Sequence, residues 1–182
     1  DLDLVIRLHK TMVEANEDYE VSFVPAPVAW TEVPERLSVF ASQRRRWYNG
    51  LLENLITHRD MLFNPRYGRI GLFALPFFVV AEAIGPLVEG IGYVLLPIVV
   101  LMGLFEPISS LLFFTVTSGF GVFLSWYATY GEVWTFRRYR KVSHVIQLLV
   151  LGVVENVGYR QLRTLIKLTG LPQFISGSTE WG

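Results

Sequence analysis

The chain has no cysteine. Disulfides and thiolate metal sites are therefore excluded. It has three histidines, His9, His58 and His144, and their spacing fits no metal site, so each reads as a surface or interfacial side chain. Basic residues are absent over residues 70–136, where the only charges are Glu82, Glu89, Glu106 and Glu132. A stretch this long without Lys or Arg, bracketed by basic clusters, is a membrane pattern. No broad basic surface is implied, which excludes nucleic acid as a natural partner.

The composition agrees. Of 182 residues, 52% are hydrophobic, and the mean hydropathy is +0.39. The net charge of zero hides a segregation: residues 1–69 carry nine Lys/Arg and ten Asp/Glu, whereas residues 137–182 carry seven and two. The first residues, Asp-Leu-Asp-Leu, lack an initiator methionine, so the chain reads as an excised piece of a larger protein.

Helical spacing of Leu2, Val5, Ile6, Met12 and Val13 predicts an amphipathic helix over residues 1–15, with Asp1 and Asp3 at its positive end. Asn16 to Tyr19 read as a polar turn. YEVSFVPAPVAWTEV, rich in Val, Phe, Trp and Thr and broken by Pro25 and Pro27, predicts two short strands. Pro34 suits the first turn of a second helix, and Asn64-Pro65-Arg66-Tyr67-Gly68 a turn after it.

Residues 70–103 as one straight helix would span about 50 Å, against a hydrocarbon core of about 30 Å. Gly85-Pro86 offers a break, which predicts an interfacial first part and a span from about residue 86 to 104. Residues 107–131 carry no charge and form a second span. The positive-inside rule places Arg66 and Arg69, and Arg137, Arg138, Arg140 and Lys141, in the cytoplasm, with Glu106 at the outer turn. Only residues 145–154 separate His144 from Glu155, too few to cross upright, so an interfacial or re-entrant helix pair is expected from residue 142 to 171. Ser176 to Gly182 read as a disordered tail.

The chemistry-bearing stretch is SQRRRWYNGLL, residues 42–52. On a helix, Gln43, Arg46, Trp47 and Gly50 share one face, while Arg44 and Arg45 turn away. That face offers an amide, a guanidinium suited to a phosphate or diphosphate, an indole for a sugar ring, and a glycine permitting close approach. The plainer alternative is a juxtamembrane basic cluster with an interfacial tryptophan. Glu82 and Glu89 would line a polar conduit or face polar partners, since intramembrane acids need one or the other.

Gln43-Arg44-Arg45-Arg46-Trp47 resembles the Q-x-x-R-W motif of membrane-embedded family 2 glycosyltransferases, a group with cellulose, hyaluronan and poly-N-acetylglucosamine synthases. DLDLVIRLHK resembles the segment that begins at the motif aspartate of that family, PAPVAWTEVPE resembles the stretch before Q-x-x-R-W, and transmembrane helices follow as they do there. The resemblance covers most of residues 1–105 and lies nearest to bacterial cell-wall or exopolysaccharide enzymes, which implies a bacterial inner membrane. It implies a mainly α chain: residues 1–69 as the C-terminal part of a cytoplasmic GT-A type α/β catalytic domain, residues 70–136 as a transmembrane region, and residues 137–182 as a basic, interfacial or re-entrant segment with a tail. It implies an inverting transfer from a nucleotide-sugar donor to a glycan acceptor. Asp1 would be the general base, with Asp3 a weaker alternative, and Gln43, Arg46 and Trp47 would bind acceptor and diphosphate. A divalent cation, Mg or Mn, is expected in the whole enzyme with its ligands outside this stretch, so the stretch alone would be inactive. The competing class is a non-enzymatic membrane protein, a channel or transporter subunit or a scaffold.

Overall fold

A computed structural model describes residues 2–22, 24, 31–104, 106–136 and 141–177. Nearly all of them are helical, and among them none is in a strand. The chain divides into two compact units, Asp1–Val88 with Ile166–Gly182, and Glu89–Leu165.

In the first unit, α1 (Leu2–Ala15) forms where the apolar stripe predicts it. Much of the expected strand region, residues 23 and 25–30, lies outside the described residues, and residues 19–22 and 31–33 are irregular. A strand exists only by pairing, and no pairing occurs among the described residues. The two short strands of the expected α/β domain are therefore not found there. α2 (Leu37–Thr57) follows Pro34, starting after an extended Arg36. It ends at His58, after which Arg59–Met61 form a 3₁₀ turn. The Asn64–Gly68 turn is present: Pro65 opens a 3₁₀ turn, and the Asn64 side chain accepts from the Arg66 amide at 3.0 Å.

A small core of Ile6, Met61, Tyr67 and Leu75 holds this unit, with Leu2, Val13, Leu55, Leu62 and Ile70 packed around it. His9 and His58 are buried, not at the surface as their isolation in the sequence implies. Each found a long-range partner that spacing does not disclose. His9 donates from Nε2 to the Tyr67 carbonyl at 3.0 Å, and His58 pairs with Asp3. Gly71 permits a close approach of two backbone segments: a Cβ there would lie 2.6 Å from the Asn64 carbonyl oxygen and 2.7 Å from that of Met61.

α3 runs from Ile70 to Leu101 as one helical stretch. The expected break at Gly85-Pro86 does not occur, because Gly85 is helical at φ −48°, ψ −51°. Two wide turns explain this. Ile70–Ala74 and Phe78–Ile84 are π-helical, with Leu75 and Gly85 donating five residues back to Ile70 and Val80. Each precedes a proline, Pro76 or Pro86, whose ring would otherwise press on the carbonyl four residues before it.

In the second unit, α4 (Pro107–Phe136) is continuous. α5 (Val142–Val154) leads through a kinked segment, Glu155–Tyr159, into α6 (Arg160–Leu168), and α7 (Leu171–Ile175) follows in the first unit. Val157 and Gly158 leave helical geometry, Gly158 at φ +116°, so the α5–α6 run is bent sharply there. By length and composition, Ile70–Leu101, Ile108–Thr135 and Val142–Ile175 are each long and apolar enough to cross a membrane. α5 docks on α4 through Gly152 against Trp126, whose indole donates to the Leu149 carbonyl at 2.9 Å. Asn156, buried, donates to Ser125 Oγ at 2.9 Å and to the Gly152 carbonyl at 2.8 Å. The basic cluster at 137–140 and the tail from 178 lie outside the described residues.

Candidate functional site

The site belongs to the first unit. Arg46, Trp47, Gly50, Leu51 and Asn54 of α2 line a cleft of about 560 Å³, closed on its other side by Leu2 and Asp3 of α1. The 3.6-residue period puts 46, 47, 50 and 54 on one side of α2. α1 reaches the cleft because its stripe residue Ile6 is buried in the core while its first turn faces α2. Arg46 is exposed, and Trp47 keeps 56% of its surface. An exposed guanidinium-bearing side chain and an exposed indole therefore line the cleft beside the N-terminus of α1.

Of the residues singled out from sequence, Arg46 and Trp47 are brought together, with Gly50. Gln43 is half-buried and does not line the cleft. Asp1 lies outside the described residues, but its neighbours Leu2 and Asp3 form the cleft wall. Arg45 turns away, its Cβ near Gly170. Arg44 does not turn away as expected: its guanidinium sits 4.5 Å from the centre of the Trp47 ring and 5.0 Å from that of Phe40. The i, i+3 spacing of 44 and 47 carries this contact, and a cation over an indole face is favourable. The Trp47 ring is thus covered by Arg44 over one face.

Asp3 is engaged twice. Its carboxylate bonds Arg7 at 2.7 Å and accepts from His58 Nε2 at 3.2 Å. The Arg7 hydrogen bond, with His58 adding to it, holds the Asp3 carboxyl below its ordinary value. A carboxylate so stabilised is a poor proton acceptor, which argues against Asp3 as the base. Behind the site, Tyr48 is buried, and burial pushes its phenol above the usual range, so it stays protonated and donates to the Ala83 carbonyl at 2.8 Å.

The two glutamates of α3 are both ion-paired. Glu82 bonds Lys167 at 2.9 Å, and in the second unit Glu89 bonds Arg160 and accepts from Thr164. Both acids therefore face polar partners, one of the placements expected for them. Among the described residues, no group of three or more His, Asp or Glu is placed to hold a metal ion.

The family described as chitin synthase matches residues 7–132. Among curated proteins, chitin synthase 4 of Cryptococcus neoformans var. grubii is 32% identical over 70 residues, 38% of this chain and 5% of that protein. Chitin synthase 6 of Mycosarcoma maydis is 33% identical over 70 residues, 38% of this chain and 6% of that protein. Chitin synthase Y of Aspergillus oryzae is 44% identical over 45 residues, 25% of this chain and 2% of that protein. The chain thus spans only a small part of the length of these relatives. They are fungal, which corrects the bacterial inner-membrane placement. A five-residue motif followed by apolar helices does not mark the source of a chain. No solved structure matches the chain.

Proposed function

Because the chain belongs to the chitin synthase family, we propose that it forms the acceptor side and part of the membrane portion of an inverting family 2 glycosyltransferase that extends chitin, the polymer of N-acetylglucosamine. The donor is a nucleotide-activated sugar and the acceptor is the growing glycan. The observation that carries this reading is the cleft in which Arg46 and Trp47 face the start of α1, one residue from Asp1.

The reaction then runs as follows. The acceptor hydroxyl oxygen attacks the anomeric carbon of the donor while the Asp1 carboxylate takes the hydroxyl proton. The bond from that carbon to the diphosphate breaks, and its electron pair leaves on the nucleoside diphosphate. Arg46 offsets the charge that grows on this leaving group. Trp47, braced by Arg44, presents its remaining surface to the acceptor sugar. A divalent cation on the donor diphosphate belongs to the whole enzyme, and no step here is assigned to it. The catalytic part is cytoplasmic, and the apolar helices anchor it in the membrane.

The test uses the full-length enzyme in membranes, with transfer measured from labelled nucleotide-activated N-acetylglucosamine. Asp1→Asn and Arg46→Ala are each expected to lower kcat by about 10²-fold or more. Trp47→Ala is expected to raise the acceptor KM. Arg45→Ala should be far milder. Unaltered transfer by the first three variants would overturn the reading.

A further inference from the structure

Arg46 and Trp47 can act only if α2 is held at one rotation. Tyr48 and Asn49 lie about 100° and 200° round the helix from Trp47, given 3.6 residues per turn, and both are buried, at 2% and 3% exposure. What they meet comes from residues far along the chain, all within the first unit.

Tyr48 is gripped at two points. Its hydroxyl reaches the Ala83 carbonyl, inside the wide turn Phe78–Ile84. Its ring lies 5.6 Å from the Lys167 ammonium, which in turn bonds the Glu82 carboxylate at 2.9 Å. The Lys167 side chain is mostly buried, at 15% exposure. Three residues on, Gly170 lies close against α2: a Cβ there would sit 3.1 Å from Asn49 Oδ1 and 3.4 Å from Arg45 Cβ. The segment after the apolar helices thus meets α2 on the side opposite the cleft.

A mostly buried lysine and a glutamate in an apolar helix are costly apart and tolerable together. Packing alone would be served by apolar residues at both positions. A charged pair fixes direction, because the ammonium must satisfy a carboxylate on α3 and an aromatic face on α2 at once.

We propose that Lys167, bridging Glu82 of α3 and the ring of Tyr48, is a positioning residue that sets the rotation of α2 and so the placement of Arg46 and Trp47 in the cleft. It touches neither donor nor acceptor. The inference rests on the acceptor-side reading of that cleft. A helix rotated by a fraction of a turn would carry the indole off the acceptor sugar, and small misplacements of this kind are expensive in rate.

The full-length enzyme in membranes, normalised for its amount by immunoblot, tests this with labelled donor and a short N-acetylglucosamine oligomer as acceptor. Lys167→Met should raise the acceptor KM about tenfold and leave the donor KM within about twofold. Lys167→Arg should restore the acceptor KM, and the reversed pair, Glu82→Lys with Lys167→Glu, should restore part of it. If Lys167→Met does not accumulate, Glu82→Gln removes the same bridge and should show the same acceptor effect. An unchanged acceptor KM in these variants overturns the proposal, as does a fall in kcat alone that Lys167→Arg fails to rescue. Arg46→Ala and Trp47→Ala run alongside. If they lose function while Lys167→Met and Glu82→Gln keep a normal acceptor KM, positioning fails and the cleft stands. If Arg46→Ala and Trp47→Ala transfer normally, the cleft reading itself falls, and the proposal with it.

Discussion

α2 and α4 invert the usual relation between hydropathy and burial. α2 is studded with polar side chains, Gln43, Arg44, Arg45, Arg46, Asn49, Glu53 and Asn54, yet it buries Tyr48 and Asn49 almost completely. α4 carries no charge from Pro107 to Gly131, yet leaves Leu111 66%, Phe113 57% and Trp134 71% exposed. In α2, burial follows named partners inside the chain. In α4, the apolar surface has few partners inside the chain, because its solvent is lipid. Hydropathy therefore reports the medium around an element, and only specific contacts report its place in the fold.

Substitutions can break this contrast. The largest effect is expected at Tyr48. Tyr48→Ala removes a packed ring and a buried hydrogen bond and should cost about 3–5 kcal/mol. Phe113→Ala on α4 should stay within about 0.5 kcal/mol. Thermal unfolding of the purified full-length protein in one detergent compares the two, and equal shifts would abolish the distinction.

Glycines sharpen it. Gly71→Ala drives a methyl into two backbone carbonyls and should destabilise by about 1–3 kcal/mol. Gly119→Ala on α4 meets nothing within 4 Å and should be neutral or stabilising by up to about 1 kcal/mol. The same melting experiment reads both, and a destabilised Gly119→Ala would reveal a packed neighbour on α4.

The smallest effects are electrostatic. Asp3 is held low by Arg7 and Asp60 by Lys10, whose own pKa is raised by Asp60. For the aspartates, the folded pKa lies below the unfolded one, so their contribution is full above about pH 4 and is lost as pH falls through the folded value. For Lys10 the sign reverses: its contribution is full below the ordinary lysine value and is lost as pH rises past it. These groups are solvated, so the effect is slight. Asp3→Asn should flatten the fall in melting temperature between about pH 5 and pH 3, whereas no titrating side chain lies between Pro107 and Phe123 of α4 to alter that slope. An unaltered acid limb in Asp3→Asn would show that the Arg7 and His58 contacts carry no weight in solution.

Much of this was legible because helices announce themselves by period. α1, α2, the Asn64–Gly68 turn and the facing of Arg46, Trp47 and Gly50 all follow from 3.6-residue spacing. Arg44 on Trp47 follows from the same spacing once every i, i+3 pair is considered, not only those on the chosen face. Contacts between distant segments were not legible. Nothing near His58 predicts Asp3, and nothing near Glu82 predicts Lys167, since each pair closes a loop of more than fifty residues. The continuity of α3 was hidden for another reason: proline reads as a breaker in sequence, and the wide turns that accommodate it leave no residue signature.

Those wide turns have a consequence for how such a chain can vary. A π turn holds one residue more than the α turn it replaces, which is the form a one-residue insertion takes when the helix on either side keeps its packing. Among the described residues, they occur in the apolar run of α3, at Ile70–Ala74 and Phe78–Ile84, and not in α1 or α2. This apolar helix has room for a change of length. α2 has no such slack. One residue added after Trp47 would turn everything beyond it by about 100°, taking Tyr48 off Ala83 and Gly50 out of the cleft. Descendants of this chain are free to lengthen or shorten in the membrane and are held to a fixed count along the helix that bears Arg46.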